Sequence, residues 1–349
     1  MLLLFQPPIS YGQKITEPFE FLFEQKTLRG LIERPKDRMP SAVVVLIPGS
    51  GRTNFVEGGW FSPVRDQLVS FGLTVVFWDK MGCGKSDGEF NVLQPVANSA
   101  QEALAAFQAI KDQQIPGSEK IGCWGLSRAG WIVPLINEQW ALDFWISVSG
   151  TDDKENYGYL LKSNLRIAGK TEREAEHLFQ AWMNGHRLQC TGGSYEEVLR
   201  AVQPLMEDSI SRQLFGYSNE VEITEEGRRT YAKETADYTR DGYFDLVSRL
   251  WVNIENFDQT LLKFSCPVLA LFGANDSQVD WRKTKRLYER TIGESPTASL
   301  TTKVFEQCNH NLQKCISCAW KEDLSVLGWQ ACDGYYVKEL YAKAAPFCS

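Results

Sequence analysis

The chain has 349 residues, a net charge of −7 and a hydrophobic content of 43%. This length allows one large α/β domain with an insertion, or two domains, and the apolar content is ample for a large core. The acidic balance argues against nucleic acid or an anionic membrane as the main partner, and no apolar run is long enough to span a membrane.

Residues 1–14 are interpreted as the remnant of a signal peptide or as an arm. An apolar start is interrupted by Pro7 and Pro8, and the first basic residue is Lys14. A complete signal peptide needs a basic start and a longer apolar run, and neither is present. Nine cysteines are many for a reduced cytosolic enzyme. Export to the periplasm or the extracellular space is therefore favoured over a cytoplasmic location.

Short apolar runs that alternate with helical patterns predict a mostly parallel sheet with helices on both faces. The run at 43–47 is apolar throughout, as expected of a strand that is covered on both sides. Helices are predicted at 63–71 and along the apolar stripe of 97–110. Eight strands are predicted, at 19–24, 28–33, 42–47, 74–78, 120–124, 144–148, 268–272 and 302–305.

The alternation stops after Gly150 and resumes near Cys266. The sequence between them is charged and helix-forming, and it contains no good strand. Helices are predicted there at 172–188, 195–207, 225–240 and 243–251. The simplest organisation is a core of residues 15–150 and 263–349 that is interrupted by a helical insertion of residues 151–262.

The most informative motif is Gly125-Leu126-Ser127-Arg128-Ala129, between an apolar strand and a predicted helix at 129–137. This context is typical of a nucleophile elbow, a tight strand-to-helix turn that presents one serine hydroxyl at the edge of a sheet. Small residues are needed at both ends of the turn. The pattern usually ends in glycine, and alanine here is small enough to fit.

An acid and a base follow Ser127 in the order serine, aspartate, histidine. Asp276 comes directly after a predicted strand, where catalytic groups of α/β sheets collect, and a surface turn is the alternative. His310 follows the last strand, whereas His177 and His186 fall in the insertion, where a structural role is the simpler interpretation. His310 would take the proton of Ser127, and Asp276 would orient the imidazole.

Backbone N–H groups at two places are candidates for stabilising an oxyanion. Gly49 and Ser50 lie in a glycine-rich loop that follows the third strand, and an ordinary turn is the alternative. The other donor would be the N–H of Arg128, directly after the nucleophile. This chemistry requires neither a metal nor an organic cofactor.

The late cysteines predict one or two disulfides if the protein is exported. Cys315 and Cys318 have CxxC spacing, which also occurs in redox and zinc sites. A zinc site is disfavoured because no second CxxC lies nearby and His310 is the only histidine in the region. A local cross-link is preferred, with free buried thiols as the alternative. The late cysteines are Cys308, Cys315, Cys318, Cys332 and Cys348.

Together these motifs resemble the serine α/β-hydrolases over about residues 15–345. The resemblance rests on five blocks in the family's order: residues 48–51, 78–88 and 125–130, Asp276 with Val279, and Asn309-His310. The group that it resembles most is that of esterases, thioesterases and dienelactone-hydrolase-like enzymes. The chain departs from the family at Pro48, where histidine is common, and at Ala129.

The resemblance implies the α/β-hydrolase fold, and it makes the insertion a helical cap over the strand ends. The expected activity is hydrolysis of a small carboxylic ester, thioester or lactone through an acyl-Ser127 intermediate. Alternatives are a serine peptidase or aminopeptidase of the same fold, and an inactive hydrolase-fold binding protein. Five aromatic residues could line a substrate pocket or form the cap's own core: Trp182, Tyr231, Tyr238, Tyr243 and Trp251.

Overall fold

The central feature of the computed structural model is a sheet of eight strands. The structure describes residues 13–91, 94–152, 157–218, 223–241, 244–245, 250–251, 254–324, 330–335 and 338–345. The strands are β1 Lys14–Phe23, β2 Lys26–Pro35, β3 Ala42–Ile47, β4 Leu73–Trp78, β5 Ile121–Leu126, β6 Trp145–Val148, β7 Phe244–Asp245, β8 Leu250–Trp251, β9 Pro267–Gly273 and β10 Ser299–Phe305.

The order of strands in the main sheet is β1-β2-β4-β3-β5-β6-β9-β10. Strand β2 runs antiparallel to both of its neighbours, and every other pairing is parallel. All residues of β3, β4, β5 and β6 are buried, as expected when helices cover both faces. The eight strands predicted from the sequence are confirmed, although β1 begins as early as Lys14.

Eleven helices occur in the described ranges. They are α1 Ser62–Ser70, α2 Val96–Asp112, α3 Ala129–Gln139, α4 Tyr157–Ile167, α5 Glu172–Cys190, α6 Tyr195–Glu207, α7 Ser209–Phe215, α8 Glu225–Asp241, α9 Phe257–Leu262, α10 Trp281–Arg290 and α11 Lys338–Tyr341. None of these is both long and apolar enough to cross a membrane.

Two hydrophobic clusters lie on opposite faces of the sheet. One contains side chains of α2, α3, α9 and α10, such as Phe107 and Ile132. The other contains side chains of α1 and of the C-terminal residues, such as Leu68 and Tyr341. Each parallel strand alternates its side chains between these clusters, so both faces of the sheet are covered by apolar contacts.

Helices α4 to α9 lie in the insertion between β6 and β9. Buried side chains of α4, α5 and α6 form a third cluster, which includes Leu161, Leu165 and Trp182 and is separate from the clusters on the sheet, whereas α9 packs in the cluster that contains Phe107. Helices α5 and α6 start with capping boxes at Thr171 and Ser194. In each box the hydroxyl accepts the N–H of the glutamate three residues further on. The predicted helices 172–188, 195–207 and 225–240 correspond to α5, α6 and α8.

The prediction of a helix at 243–251 was wrong. Strands β7 and β8 pair there in antiparallel fashion, with Phe244 opposite Trp251. The insertion therefore contains strand structure, contrary to the expectation from its charged sequence. The apolar residues of this segment have a helical spacing, which led to the helix prediction. Aromatic residues also have a high strand propensity, and the pairing of β7 with β8 agrees with that propensity. Tyr243 itself lies outside the described residues.

Two disulfides cross-link the segment that follows β10. Cys308 is bonded to Cys332, and Cys315 to Cys318, which is the local cross-link that the CxxC spacing predicts. Cys348 lies outside the part of the chain that the structure describes. His310 lies within the loop that the first disulfide closes, so this cross-link constrains the segment that carries the histidine.

Candidate active site

Ser127 occupies the turn between β5 and α3 with a strained backbone. Its φ is +56°, which is a left-handed backbone conformation. This conformation costs a residue with a side chain about 1 kcal/mol or more. Its N–H donates to the carbonyl of Val148 at the end of β6 (2.9 Å), and its carbonyl accepts from Gly130 (2.8 Å). Non-glycine residues held in such strain cluster at functional sites, and these hydrogen bonds hold Ser127 in place.

Gly125 and Ala129 explain why the altered motif still forms the turn. A Cβ on Gly125 would lie 2.8 Å from the Cβ of Ala129 and 3.3 Å from Val133. The space between the strand and the helix therefore admits one methyl group but not two. Because Gly125 supplies none, Ala129 fits, and the departure from the usual final glycine leaves the turn intact.

His310 and Asp276 form a buried pair. Nδ1 of His310 lies 2.8 Å from Oδ2 of Asp276, and the two residues are 5% and 2% exposed. The other carboxylate oxygen, Oδ1, accepts the N–H groups of Gln278 (2.8 Å) and Val279 (3.0 Å). The carboxylate is thus fixed by two backbone donors. A neutral imidazole that donates Nδ1–H to this carboxylate keeps its lone pair on Nε2, where a base needs it.

Ser127 follows β5 and His310 follows β10, and both lie at the carboxyl edge of the sheet. The hydroxyl of Ser149 donates to the carbonyl of His310 (2.7 Å), and Ser149 directly follows Val148, which accepts from Ser127. Within the described part of the chain, Oγ of Ser127 makes no hydrogen bond to the imidazole. Such bonds are often long before substrate binds and shorten in the reactive complex.

The loop of residues 48–51 passes close to Ser127. A Cβ on Gly49 would lie 3.2 Å from Cβ of Ser127 and 3.9 Å from its Oγ. The N–H of Ser50 donates to no acceptor among the residues that the structure describes. Arg128 precedes the first turn of α3, where backbone N–H groups carry partial positive charge. The three predicted backbone donors therefore lie around or next to Ser127.

Lys80 is a residue of this region that the sequence interpretation missed. It lies two residues after the end of β4 and is 9% exposed, and its Nζ donates to the carbonyls of Gly49 (2.6 Å) and Gly51 (2.9 Å). Burial, together with the smaller effect of the nearby Arg128, lowers the pKa of Lys80 to about 8. A lysine between an apolar strand and a glycine-rich turn was the signal that could have revealed it.

Helix α4 of the insertion is bonded to the loop that carries the acid. The hydroxyl of Tyr159 donates to the carbonyl of Asp276 (3.0 Å). The side-chain amide of Asn164 donates to the carbonyl of Ser277 (3.0 Å) and accepts the N–H of Trp320 (2.7 Å). The insertion, the acid loop and the disulfide-bonded segment therefore meet at one buried amide.

The aromatic residues predicted to line a pocket have contacts inside the insertion. Trp182 is 7% exposed and stacks with Phe179, with ring centroids 6.0 Å apart. The hydroxyl of Tyr231 donates to the carbonyl of Gly193 (2.5 Å). These contacts fit the alternative that the two residues belong to the insertion's own packing. The side chains of three others lie outside the described residues: Tyr238, Tyr243 and Trp251.

The order of the strands, the single antiparallel strand β2 and the serine turn after β5 define the α/β-hydrolase fold. Several solved structures share it. The α/β hydrolase GrgF from Penicillium sp. sh18 is similar with a TM-score of 0.51 and 15% identity, over 95% of this chain and 99% of that one. Est1E from Butyrivibrio proteoclasticus, with ferulic acid bound, has a TM-score of 0.50 and 14% identity, over 94% and 99%.

A third similar structure is DcsB in complex with its substrate analogue, with a TM-score of 0.52 and 14% identity, over 95% of this chain and 100% of that one. At such identities the likeness shows the fold and not the substrate. No protein-family model matches the sequence, and no curated protein matches it. Among the described residues, no cluster of three or more His, Cys, Asp or Glu side chains could hold a metal ion.

Proposed function

We propose that this chain is a serine hydrolase that cleaves a carboxylic ester, thioester or lactone. The observation that carries the proposal is the hydrogen-bonded pair of His310 and Asp276 at the same sheet edge as the strained Ser127. A serine hydroxyl is a weak nucleophile at neutral pH and needs an adjacent base, which an oriented imidazole supplies. Within the fold, the proposed group is that of esterases, thioesterases and dienelactone-hydrolase-like enzymes.

In the proposed mechanism, Oγ of Ser127 attacks the acyl carbonyl while Nε2 of His310 takes its proton. Asp276 keeps the other imidazole proton on Nδ1 and stabilises the imidazolium. His310 then gives its proton to the leaving group, which departs as an alcohol or a thiol. Water, deprotonated by His310, attacks the acyl-Ser127 ester, and the carboxylic acid product leaves.

The N–H groups of Gly49, Ser50 and Arg128 are the proposed donors to the oxyanion of each tetrahedral intermediate. The closeness of Gly49 to Ser127 supports this assignment, because donors must reach the position that the oxyanion will occupy. Removing one such donor typically slows an acyl-transfer enzyme by about 10²–10³-fold. These donors are backbone groups, so the orientation of the loop matters more than its side chains.

We also propose that residues 151–262 form a cap on a hydrolase core of residues 15–150 and 263–349. The separate hydrophobic cluster of helices α4 to α6 supports this division, and the bonds of Tyr159 and Asn164 join the cap to the loop of Asp276. The last helix of the range, α9, packs on the sheet instead. A cap in this position would cover the sheet edge where Ser127 lies. The substrate would bind between the cap and that edge, and the cap would then exclude water from the reacting atoms.

The decisive experiment is labelling with a fluorophosphonate, which reacts with activated serines. We expect the wild type to be labelled and Ser127→Ala to be unlabelled. Ser127→Ala and His310→Ala should each lower kcat by about 10⁴-fold or more, because triad residues act as a unit. His177→Ala is the matched control, since His177 is exposed in the insertion, and it should keep wild-type activity. Circular dichroism checks that all variants are folded.

A panel of esters, thioesters, lactones and peptide amides then separates the possible activities. Turnover of esters or thioesters without amides supports the proposal. Preferential cleavage of peptide amides would make the chain a serine peptidase instead. A folded wild type that neither reacts with the probe nor turns over any substrate would contradict the proposal and favour a binding protein.

A further inference from the structure

We propose that Lys80 is a positioning residue that orients the loop of residues 48–51, so that its N–H groups face Ser127. Lys80 would touch no substrate and would act only through the backbone of this loop. The assignment rests on the proposed hydrolase function, since it concerns the donors to the oxyanion. It adds a buried cation to a site whose other groups are the serine, the imidazole, the carboxylate and the backbone donors.

The orientation follows from the geometry of the peptide bond. Nζ of Lys80 binds the carbonyl oxygens of Gly49 and Gly51 at 2.6 Å and 2.9 Å. In a trans peptide, the C=O and the following N–H point in opposite directions. When Lys80 draws the carbonyl of Gly49 to its side, the N–H of Ser50 must point to the other side. A Cβ on Gly49 would lie 3.2 Å from Cβ of Ser127, so this peptide passes beside the serine, where an oxyanion donor is needed.

Lys80 acts from a rigid base. It lies two residues after the end of β4, which pairs with β3, the strand from which the loop emerges. Its N–H donates to the hydroxyl of Thr53 (2.8 Å), and the carboxylate of Asp79 accepts the N–H of Phe55 (2.6 Å). The strand end and the loop are therefore bonded at several points. Functional groups are held most accurately when regular elements and fixed partners support them.

Three ionisable groups face the ammonium group of Lys80. Arg128 repels it, whereas Glu102 and Cys83 attract it when they are ionised. Glu102 is 4% exposed, and its carboxylate accepts the indole N–H of Trp78 (2.7 Å). Burial raises the pKa of Glu102. A cavity of about 20 Å³, lined in part by Lys80 and Glu102, adjoins these groups and has room for about one water molecule.

Because Lys80 is buried, its positioning role can be distinguished from a role in stability. Its pKa in the folded chain is about 8, below the ordinary value of 10.5. A depressed pKa contributes stability above pH 10.5, and that stability is lost as the pH falls through about 8. At neutral pH the protonated lysine therefore opposes folding. An apolar replacement of a buried charge is often neutral or stabilising, so Lys80→Met is expected to fold.

The test compares Lys80→Met and Lys80→Arg with Lys85→Met. Lys85 lies on the same turn but is exposed and paired with exposed Glu57, so its variant is the matched control. Hydrogen exchange of the peptide that contains residues 46–56 reports the loop directly. Fluorophosphonate labelling rates and steady-state kinetics on the best ester of the panel report its effect on catalysis. All proteins are compared at equal concentrations of folded protein.

We expect Lys80→Met to exchange its loop amides at least about tenfold faster than the wild type. Its labelling rate and kcat should fall by about 10²-fold, the typical effect of one lost oxyanion donor, while KM changes less than threefold. Lys80→Arg should restore much of kcat, because guanidinium also donates to carbonyls. It should also keep its activity above pH 8, where the wild type loses the ammonium charge. Lys85→Met should match the wild type.

The proposal is overturned if Lys80→Met leaves both loop exchange and labelling within threefold of the wild type. Equal loss of kcat in Lys80→Met and Lys80→Arg, with no change in the pH profile, would also overturn it. If Lys80→Met does not fold, Lys80→Gln replaces it, and its single donating amide should give an intermediate effect. If the wild type itself has no activity, the proposed function fails, whereas loop exchange still decides whether Lys80 holds the loop.

Discussion

At the scale of single residues, the site combines strain with precise support. Ser127 has a positive φ, which residues other than glycine usually avoid. Gly125 has no side chain, and this leaves room for the methyl group of Ala129 in the turn. Neither feature stabilises the fold more than an ordinary turn would. Both place one hydroxyl at the sheet edge, so the local sequence is better explained by chemistry than by folding.

The strain at Ser127 predicts an unusual order of stability. Ser127→Gly should be more stable than Ser127→Ala by roughly 0.5–1 kcal/mol, because glycine has no Cβ to oppose the left-handed backbone. Urea unfolding of the two inactive variants measures the difference. Ser70 ends helix α1 and is the control, where glycine should instead be less stable than alanine. If glycine is less stable than alanine at both positions, Ser127 is not strained.

At the scale of elements, the sequence predicted the strands and helices that are marked by apolar patterns. Buried strands such as β3 are continuous apolar runs, so the sheet could be predicted, and the order of motifs placed Ser127, Asp276 and His310 at strand ends. Helix α4 and the β7–β8 pair could not be predicted. In α4 polar residues such as Asn164 are buried because they bind other segments, which no local pattern shows.

The buried amide of Asn164 predicts how tightly the insertion is held to the acid loop. Asn164→Ala should lower the free energy of unfolding by about 2–3 kcal/mol, because a buried carbonyl of Ser277 and the N–H of Trp320 lose their partner. Tyr159→Phe removes one hydrogen bond at a half-buried position and should lower it by about 1 kcal/mol. Urea unfolding measures both losses. If Asn164→Ala loses no more stability than Tyr159→Phe, water replaces the hydrogen bonds of the amide.

At the scale of the whole molecule, a covalent cross-link holds the segment that carries His310, the proposed base. His310 lies between Cys308 and Cys332, and the N–H of Asn275 donates to the carbonyl of Cys308 (3.0 Å). The acid loop and the cross-linked segment therefore share a backbone hydrogen bond. Sequence alone could place five late cysteines near the histidine, but it could not assign their pairing, since four cysteines alone allow three connectivities.

Removing this disulfide should reduce both stability and turnover. Replacing Cys308 and Cys332 by serine should lower the free energy of unfolding by roughly 3 kcal/mol, because their separation of 24 residues closes a long loop. The matched pair, Cys315 and Cys318, is separated by only 3 residues, so its double serine variant should lose less. Urea unfolding and ester turnover compare them, and identical losses in both variants would contradict the role of loop length.

The pairing of β6 with β9 sets an order in which the site can be assembled. Trp145 pairs with Val268, so the strand that brings Asp276 joins the sheet only after the ribosome has made the entire insertion. Contacts so distant in sequence form slowly, whereas β3, β4 and β5 come from one continuous stretch. During biosynthesis Ser127 therefore has its strand long before Asp276 and His310 exist. Under the proposed mechanism, a nascent or truncated chain would carry an inert serine, and reactivity would arise as the last property that the protein acquires.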